Sequence, residues 1–268
     1  MVVRMRYVRF ALVLAGAVMC SACFQFSTVL TLKADGSGIV DQRLLFTQAA
    51  LAQLRQLASL GGGGGQDFDP VSEKQAREAA ATLGPGVTYV SSTVINTSEG
   101  VGRDIKYAFT DINQLSLDQA PPPPGGMPVT PQSADSSDRV VFKLTRLADG
   151  HALLTIAVPQ LPAVGWGNAS PSSNSPSADQ MAMLKPMLAG ARLSIAIEPA
   201  GRLVRTSSPY VTGQRVTLVD VNVDSLLNDD TLLQRLQAAR TPDERKAILK
   251  NVPGLKVNVD PEITIEFE

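Results

Sequence analysis

The chain has 268 residues, of which 44% are hydrophobic and 18% charged, with 24 basic against 25 acidic side chains, one histidine and two cysteines. The apolar fraction suffices for a sizeable core, while the lack of a basic excess argues against nucleic acid or an anionic lipid surface as ligand, both of which favour clustered Lys and Arg. With a single histidine, any Ser-His-Asp triad would have to use His151.

Arg4, Arg6 and Arg9 are followed by an apolar run from Phe10 to Met19 and then by Cys20-Ser21-Ala22-Cys23. The run is too short to cross a bilayer, which takes roughly 17–25 apolar residues, and the order charged, apolar, small is that of an export signal. Small Ser21 and Ala22 directly before Cys23 resemble the bacterial lipobox, whose thiol is thioether-linked to diacylglycerol and whose new amino terminus is acylated; Cys20 stands where Leu is usual. Residues 1–22 then form a lipoprotein signal peptide and Cys23 is the lipidation site. An ordinary secretory signal cleaved near Ala22, or an uncleaved short anchor, are the other readings. Cleavage before Cys23 leaves one cysteine and no internal disulfide. Two or more acyl chains, palmitate among them, anchor stably where one does not. With the leader removed, the net charge is about −4.

The expected elements follow in chain order. Phe24–Lys33 and Ile39–Phe46 are β-prone and joined by Asp35-Gly36-Ser37-Gly38, a hairpin turn sequence. The spacing of Leu51, Leu54, Leu57 and Ala58 predicts a helix over 47–60. A second helix is expected over 70–83, with Asp69 as N-cap, Pro70 at its first position and Gly84 beyond its end. Val87–Asn96 with Val101–Thr110, and Arg139–Leu147 with Ala152–Pro159, read as two further hairpins. A Met-rich helix is expected near 178–190, then strands Arg192–Glu198, Arg202–Thr206 and Gln214–Asp220, a helix over 229–239, and one starting at the Thr241-Pro242-Asp243-Glu244 capping box. Strands Lys256–Asp260 and Glu262–Glu268 close the chain. The fold class expected is α+β, a mainly antiparallel sheet of hairpins with packed helices. Residues 23–117 and 139–268 are its two parts, separated by a Pro/Gly/Ser-rich linker or loop at 118–138, with a flexible loop over 160–178.

Cys23, the Asp35-Gly36-Ser37-Gly38 turn and its paired strands resemble the opening of LppM-type bacterial lipoproteins, and Pro261-Glu262-Ile263-Thr264 closes the chain in a similar style. The resemblance implies an envelope protein with an α+β domain that binds lipid, and carries over no catalytic residue. Searching for chemistry directly yields no Gly-x-Ser-x-Gly elbow, no His-Glu-x-x-His and no phosphate loop. His151, beside the Asp149-Gly150 turn, reads as a polar residue flanking that turn. Asp220, Asn222 and Asp224 have the spacing of a calcium loop, but Ser225 stands where glycine is needed and Thr231 where glutamate is needed, so they read as the end of a half-buried strand. No metal and no cofactor is expected. Trp166, the sole tryptophan, suits either contact with a membrane interface or partner or docking onto its own domain, and Met181, Met183 and Met187 on the following helix suit either core packing or an adaptable apolar groove; together they are the candidate contact for a ligand or partner.

The function expected is that of a non-enzymatic, lipid-anchored protein of the bacterial cell envelope, in the outer membrane if the host has one, binding a lipid, glycolipid or protein partner. The alternative is a structural or scaffolding lipoprotein acting only through a protein partner. A carboxylate-dependent envelope hydrolase ranks third. An enclosed apolar cavity would favour the first, a flat exposed patch the second, and two convergent carboxylates in a cleft the third.

Overall fold

A computed structural model describes residues 24–52, 55, 72–98, 100–118, 139–157, 190–227, 229–239, 241–250, 252–258 and 260–268. Strand β1 (Phe24–Leu32) alternates strictly in burial, placing Phe26, Thr28, Leu30 and Leu32 inside. It returns as β2 (Gly38–Phe46) through a turn in which Gly36 has φ +92°. Asp35 Oδ1 accepts from the Ser37 amide at 2.9 Å and the Ser37 hydroxyl at 2.7 Å, and these bonds hold its carboxyl below the usual range. Gly38 is required by packing: a Cβ there would lie 2.1 Å from the Thr31 carbonyl and 2.4 Å from the Phe109 ring.

The hairpin β3 (Thr88–Asn96) and β4 (Val101–Phe109) then joins β2 through β4, in the register Gly38↔Phe109 to Phe46↔Val101. β5 (Ser116–Asp118), β6 (Arg139–Arg146) and β7 (Ala152–Ala157) belong to a second sheet. After them come β8 (Arg192–Pro199), β9 (Leu203–Thr206), β10 (Val211–Thr212), β11 (Arg215–Asn222), β12 (Lys256–Val257) and β13 (Glu262–Phe267). The first sheet runs β10-β11-β8-β1-β2-β4-β3, with β12 also on β11; the second runs β5-β6-β7-β13-β9. All pairs are antiparallel except β1 with β8, so the first sheet is mixed.

One core lies between these elements. Leu30, Leu32, Val40, Tyr107, Phe109 and Ile197 of the first sheet share it with Phe142, Leu154, Ile156, Ile263, Ile265 and Phe267 of the second. Among the described residues, the arrangement is two sheets, mostly β, with a few short helices. The expectation of mainly antiparallel strands is met, whereas helices contribute less to the described residues than α+β implies; the expected Met-rich helix near 178–190 and most of that over 47–60 lie outside them. Residues 48–52 are helical, with Thr47 Oγ1 accepting from the Ala50 amide at 3.3 Å. Helix α1 (Glu73–Thr82) is capped by Ser72 rather than begun at Pro70, because Ser72 and Gln75 form a reciprocal capping box. The Tyr107 hydroxyl ties α1 to the sheet by donating to the Ala76 carbonyl at 2.9 Å. Three more helices, α2 (Val223–Leu227), α3 (Asp230–Ala238) and α4 (Pro242–Leu249), follow β11. Asp229 caps α3, and Thr241 and Glu244 exchange bonds at the start of α4 as expected. Two pairings were not given by the sequence reading: β9 pairs with β13 in the second sheet, and β8 pairs in parallel with β1.

Candidate functional site

Among the described residues, a dense group of charged side chains lies where β7, β9 and β13 meet on the outer face of the second sheet. The alternation Ile263, Ile265, Phe267 turns the apolar residues of β13 inward and Glu266 outward, opposite Leu153 and Arg205. Glu266 is nonetheless buried, its side chain 7% exposed. A carboxylate so placed must be paired, and it is held from both sides. His151 Nδ1 lies 3.0 Å from Glu266 Oε1, and Arg205 Nε donates to Oε2 at 2.5 Å.

The Asp149-Gly150 turn delivers His151. Gly150 has φ +90°, the Leu147 amide donates to the His151 carbonyl at 2.8 Å, and the His151 amide donates to Asp149 Oδ1 at 3.1 Å. The other Asp149 oxygen is 3.5 Å from His151 Nδ1, and His151 Nε2 is 3.6 Å from Glu268 Oε1. Glu268 is bound in turn by the Arg202 guanidinium. The hydrogen bond to Glu266, with the charges of Asp149, Glu266 and Glu268, raises the His151 pKa above its ordinary value. Hydrogen bonds from His151 and Arg205 lower that of Glu266, and Arg202 lowers that of Glu268. Three carboxylates thus face two guanidiniums and an imidazole that favours its charged form.

Asp149, His151 and Glu266 each offer one donor atom within 4.8 Å of the others and are the residues that could hold a cation. Two guanidiniums already supply the positive charge this group of acids needs, so the arrangement reads as an ion-pair network. The sequence reading placed His151 correctly beside its turn but missed Glu266, Glu268, Arg202 and Arg205, which come from strands distant in the chain.

A second polar surface covers the outer face of the first sheet. An open concavity of about 290 Å³ there is lined by Ser27, Val29, Asp41, Arg43, Asp104 and Lys106. Its charges pair across the strands, Lys106 with Asp41 at 3.1 Å and Arg43 with Asp104 at 3.9 Å. The calcium-like spacing has other uses. Asp220 accepts both Arg192 nitrogens at 3.0 Å, Asn222 accepts from the Asp224 amide, and Asp224 accepts from the Gly190 amide. Cys23, Trp166, Met181, Met183 and Met187 lie outside the described residues, as do residues 119–138. Among the described residues, no helix is long and apolar enough to cross a membrane.

Fold and site together define a two-sheet β protein with a paired, charged outer surface. No family model matches the chain, and no curated protein matches it. The structure is weakly similar to the NMR structure of the folded domain of LppM from Mycobacterium tuberculosis, at 8% identity over 75% of this chain and 84% of that one, with a TM-score of 0.29. A likeness of that size carries no argument about function.

Proposed function

We propose that this chain is a lipid-anchored protein of the bacterial cell envelope, non-enzymatic, that acts by binding a partner. The observation that supports this reading is the position of β1. It begins at Phe24, the residue after the lipobox-like Cys23, and occupies an interior position in the first sheet. Its nine residues span roughly 26 Å at about 3.3 Å per step. At the far end the Ala200 amide donates to the Leu32 carbonyl at 2.7 Å, and the Glu268 amide to the Arg202 carbonyl at 3.1 Å. Acylation of Cys23 would therefore hold the Phe24 end at the lipid surface and present the His151–Glu266 network away from it.

Of the three partner classes, a protein is the one we take first. The described concavity is open and lined by four charged side chains, the character of a surface patch, which supports that choice. The scaffolding reading therefore stands close to the first. Intact mass spectrometry of membrane-extracted protein, wild type beside Cys23→Ala, tests the anchor. A wild-type mass matching cleavage before Cys23 plus acyl chains is expected, and an unmodified chain cleaved elsewhere would refute it. Envelope cross-linking tests the partner: Arg205→Glu with Arg202→Glu should lose a cross-linked species that wild type forms, and equal yields would remove the network from the binding surface.

A further inference from the structure

The registers of β8, β1, β2 and β4 fix how charge is laid out on the outer face of the first sheet. Two central rows cross β2 and β4, one holding Arg43 beside Asp104 and the next Asp41 beside Lys106, so the four charges form a checkerboard. β8 adds Arg192 one row further toward Phe24, level with Gln25, and Glu198 one row further the other way, level with Thr31. These six are the charged side chains that the four strands turn outward, since β1 contributes none. All are open to solvent, their side chains 36–57% exposed.

A line that crosses the strands midway between the two central rows relates these charges by sign. Rotation by 180° about it carries Arg43 onto the position of Asp41, Lys106 onto that of Asp104 and Arg192 onto that of Glu198, while uncharged positions exchange among themselves. We propose that two copies of this chain stack these faces about that axis, so that Arg43, Lys106 and Arg192 of each molecule meet Asp41, Asp104 and Glu198 of the other. A two-fold interface must be self-complementary, and here each of the six charges meets its opposite and none meets its like. Every strand lies antiparallel over its own copy, so the twist of the two sheets matches across their width. An axis along the strands would also match the central four charges, but would leave Arg192 and Glu198 without a counterpart. The trough over Ser27 and Val29 leaves room for water between the copies, and an interface of exposed charges is weak and salt-dependent. The inference rests on this face alone and holds whether or not Cys23 is acylated. Where it is, the two Phe24 ends point in opposite directions, and the pair joins facing membrane surfaces.

Sedimentation equilibrium of the full chain in density-matched detergent, over a concentration series at low and high ionic strength, tests the stacking. Wild type is expected to dimerise at low salt and to dissociate at high salt. Arg43→Asp with Asp104→Arg keeps the ion pair within each chain but sets like charges against Asp41 and Lys106 of the other copy. It is expected to weaken the dimer at least tenfold while keeping its far-ultraviolet circular dichroism. Adding Asp41→Lys and Lys106→Asp returns opposite signs to the axis and is expected to restore the dimer. A wild type that stays monomeric at low salt, a dimer that survives the double exchange, or a folded fourfold variant that stays monomeric would each overturn the proposal.

Discussion

Replacing Tyr107 by Phe isolates the bond that docks α1 on the first sheet. Tyr107 is fully buried, its ring stands edge-on to Tyr89 at 6.3 Å and 74°, and its hydroxyl donates to the Ala76 carbonyl. Phe keeps the ring and its packing, so the loss is one buried neutral hydrogen bond, about 0.5–1.5 kcal/mol. The Ala76 carbonyl also sits within α1, where the i+4 amide bonds it, so the cost should stay near the middle of that range. Tyr107→Ala removes the ring as well and should cost about 3–5 kcal/mol. Urea denaturation at pH 7 measures both, and a drop in Tm of about 2–4 °C per kcal/mol should accompany them. The pH dependence provides an internal check. Burial pushes the Tyr107 pKa up to about 12, so its stabilisation is complete below pH 10 and falls as pH rises toward that value. The gap between wild type and Tyr107→Phe should therefore narrow above pH 10. If Tyr107→Phe costs as much as Tyr107→Ala, or the gap widens above pH 10, the account of this contact is wrong.

The His151 network predicts a window of stability. The raised His151 contributes fully below about pH 6.5 and loses its contribution as pH rises through its folded value, while the lowered Glu266 and Glu268 contribute above about pH 4.5 and lose theirs as pH falls. Thermal melts across pH 3–9 should show the network most stabilising between those values, with His151→Ala flattening the alkaline limb and weakening the acid one, which Arg205 and Arg202 continue to sustain in part. Ser72→Ala removes the hydroxyl side of the capping box and should destabilise by about 1 kcal/mol in urea titrations. Gly38→Ala forces a methyl group against the Thr31 carbonyl and the Phe109 ring and should cost about 1–3 kcal/mol in the same assay.

Much of the local structure was legible because its causes are local. The Asp35-Gly36 and Asp149-Gly150 turns, the β3–β4 hairpin and the Thr241–Glu244 box each need only neighbouring residues. The start of α1 was misread because two capping signals overlap, and Ser72 with Gln75 forms bonds in both directions. The parallel β1–β8 pair and the place of β9 in the second sheet were not legible, since strand periodicity names a buried face and not a partner. The site followed the same rule. Glu262-Ile263-Thr264-Ile265-Glu266 shows that its acids lie on one face, and a lone histidine beside a turn is a natural partner for one of them. Only the β7–β13 register sets His151 against Glu266.

The β1–β8 pair also bears on how the molecule is made. Ser27 and Ser194 face each other across it, 167 residues apart in the chain. At about 5–20 residues per second, synthesis of that intervening stretch takes roughly 8–30 s. Throughout that interval β1, an uncharged nine-residue strand, can bind β2 on one edge and has no native partner for the other. Such an edge invites pairing with other chains. The susceptible period of this protein therefore falls during its production, and a holding chaperone that covers residues 24–32 until β8 emerges should raise the yield more than any change to the finished core.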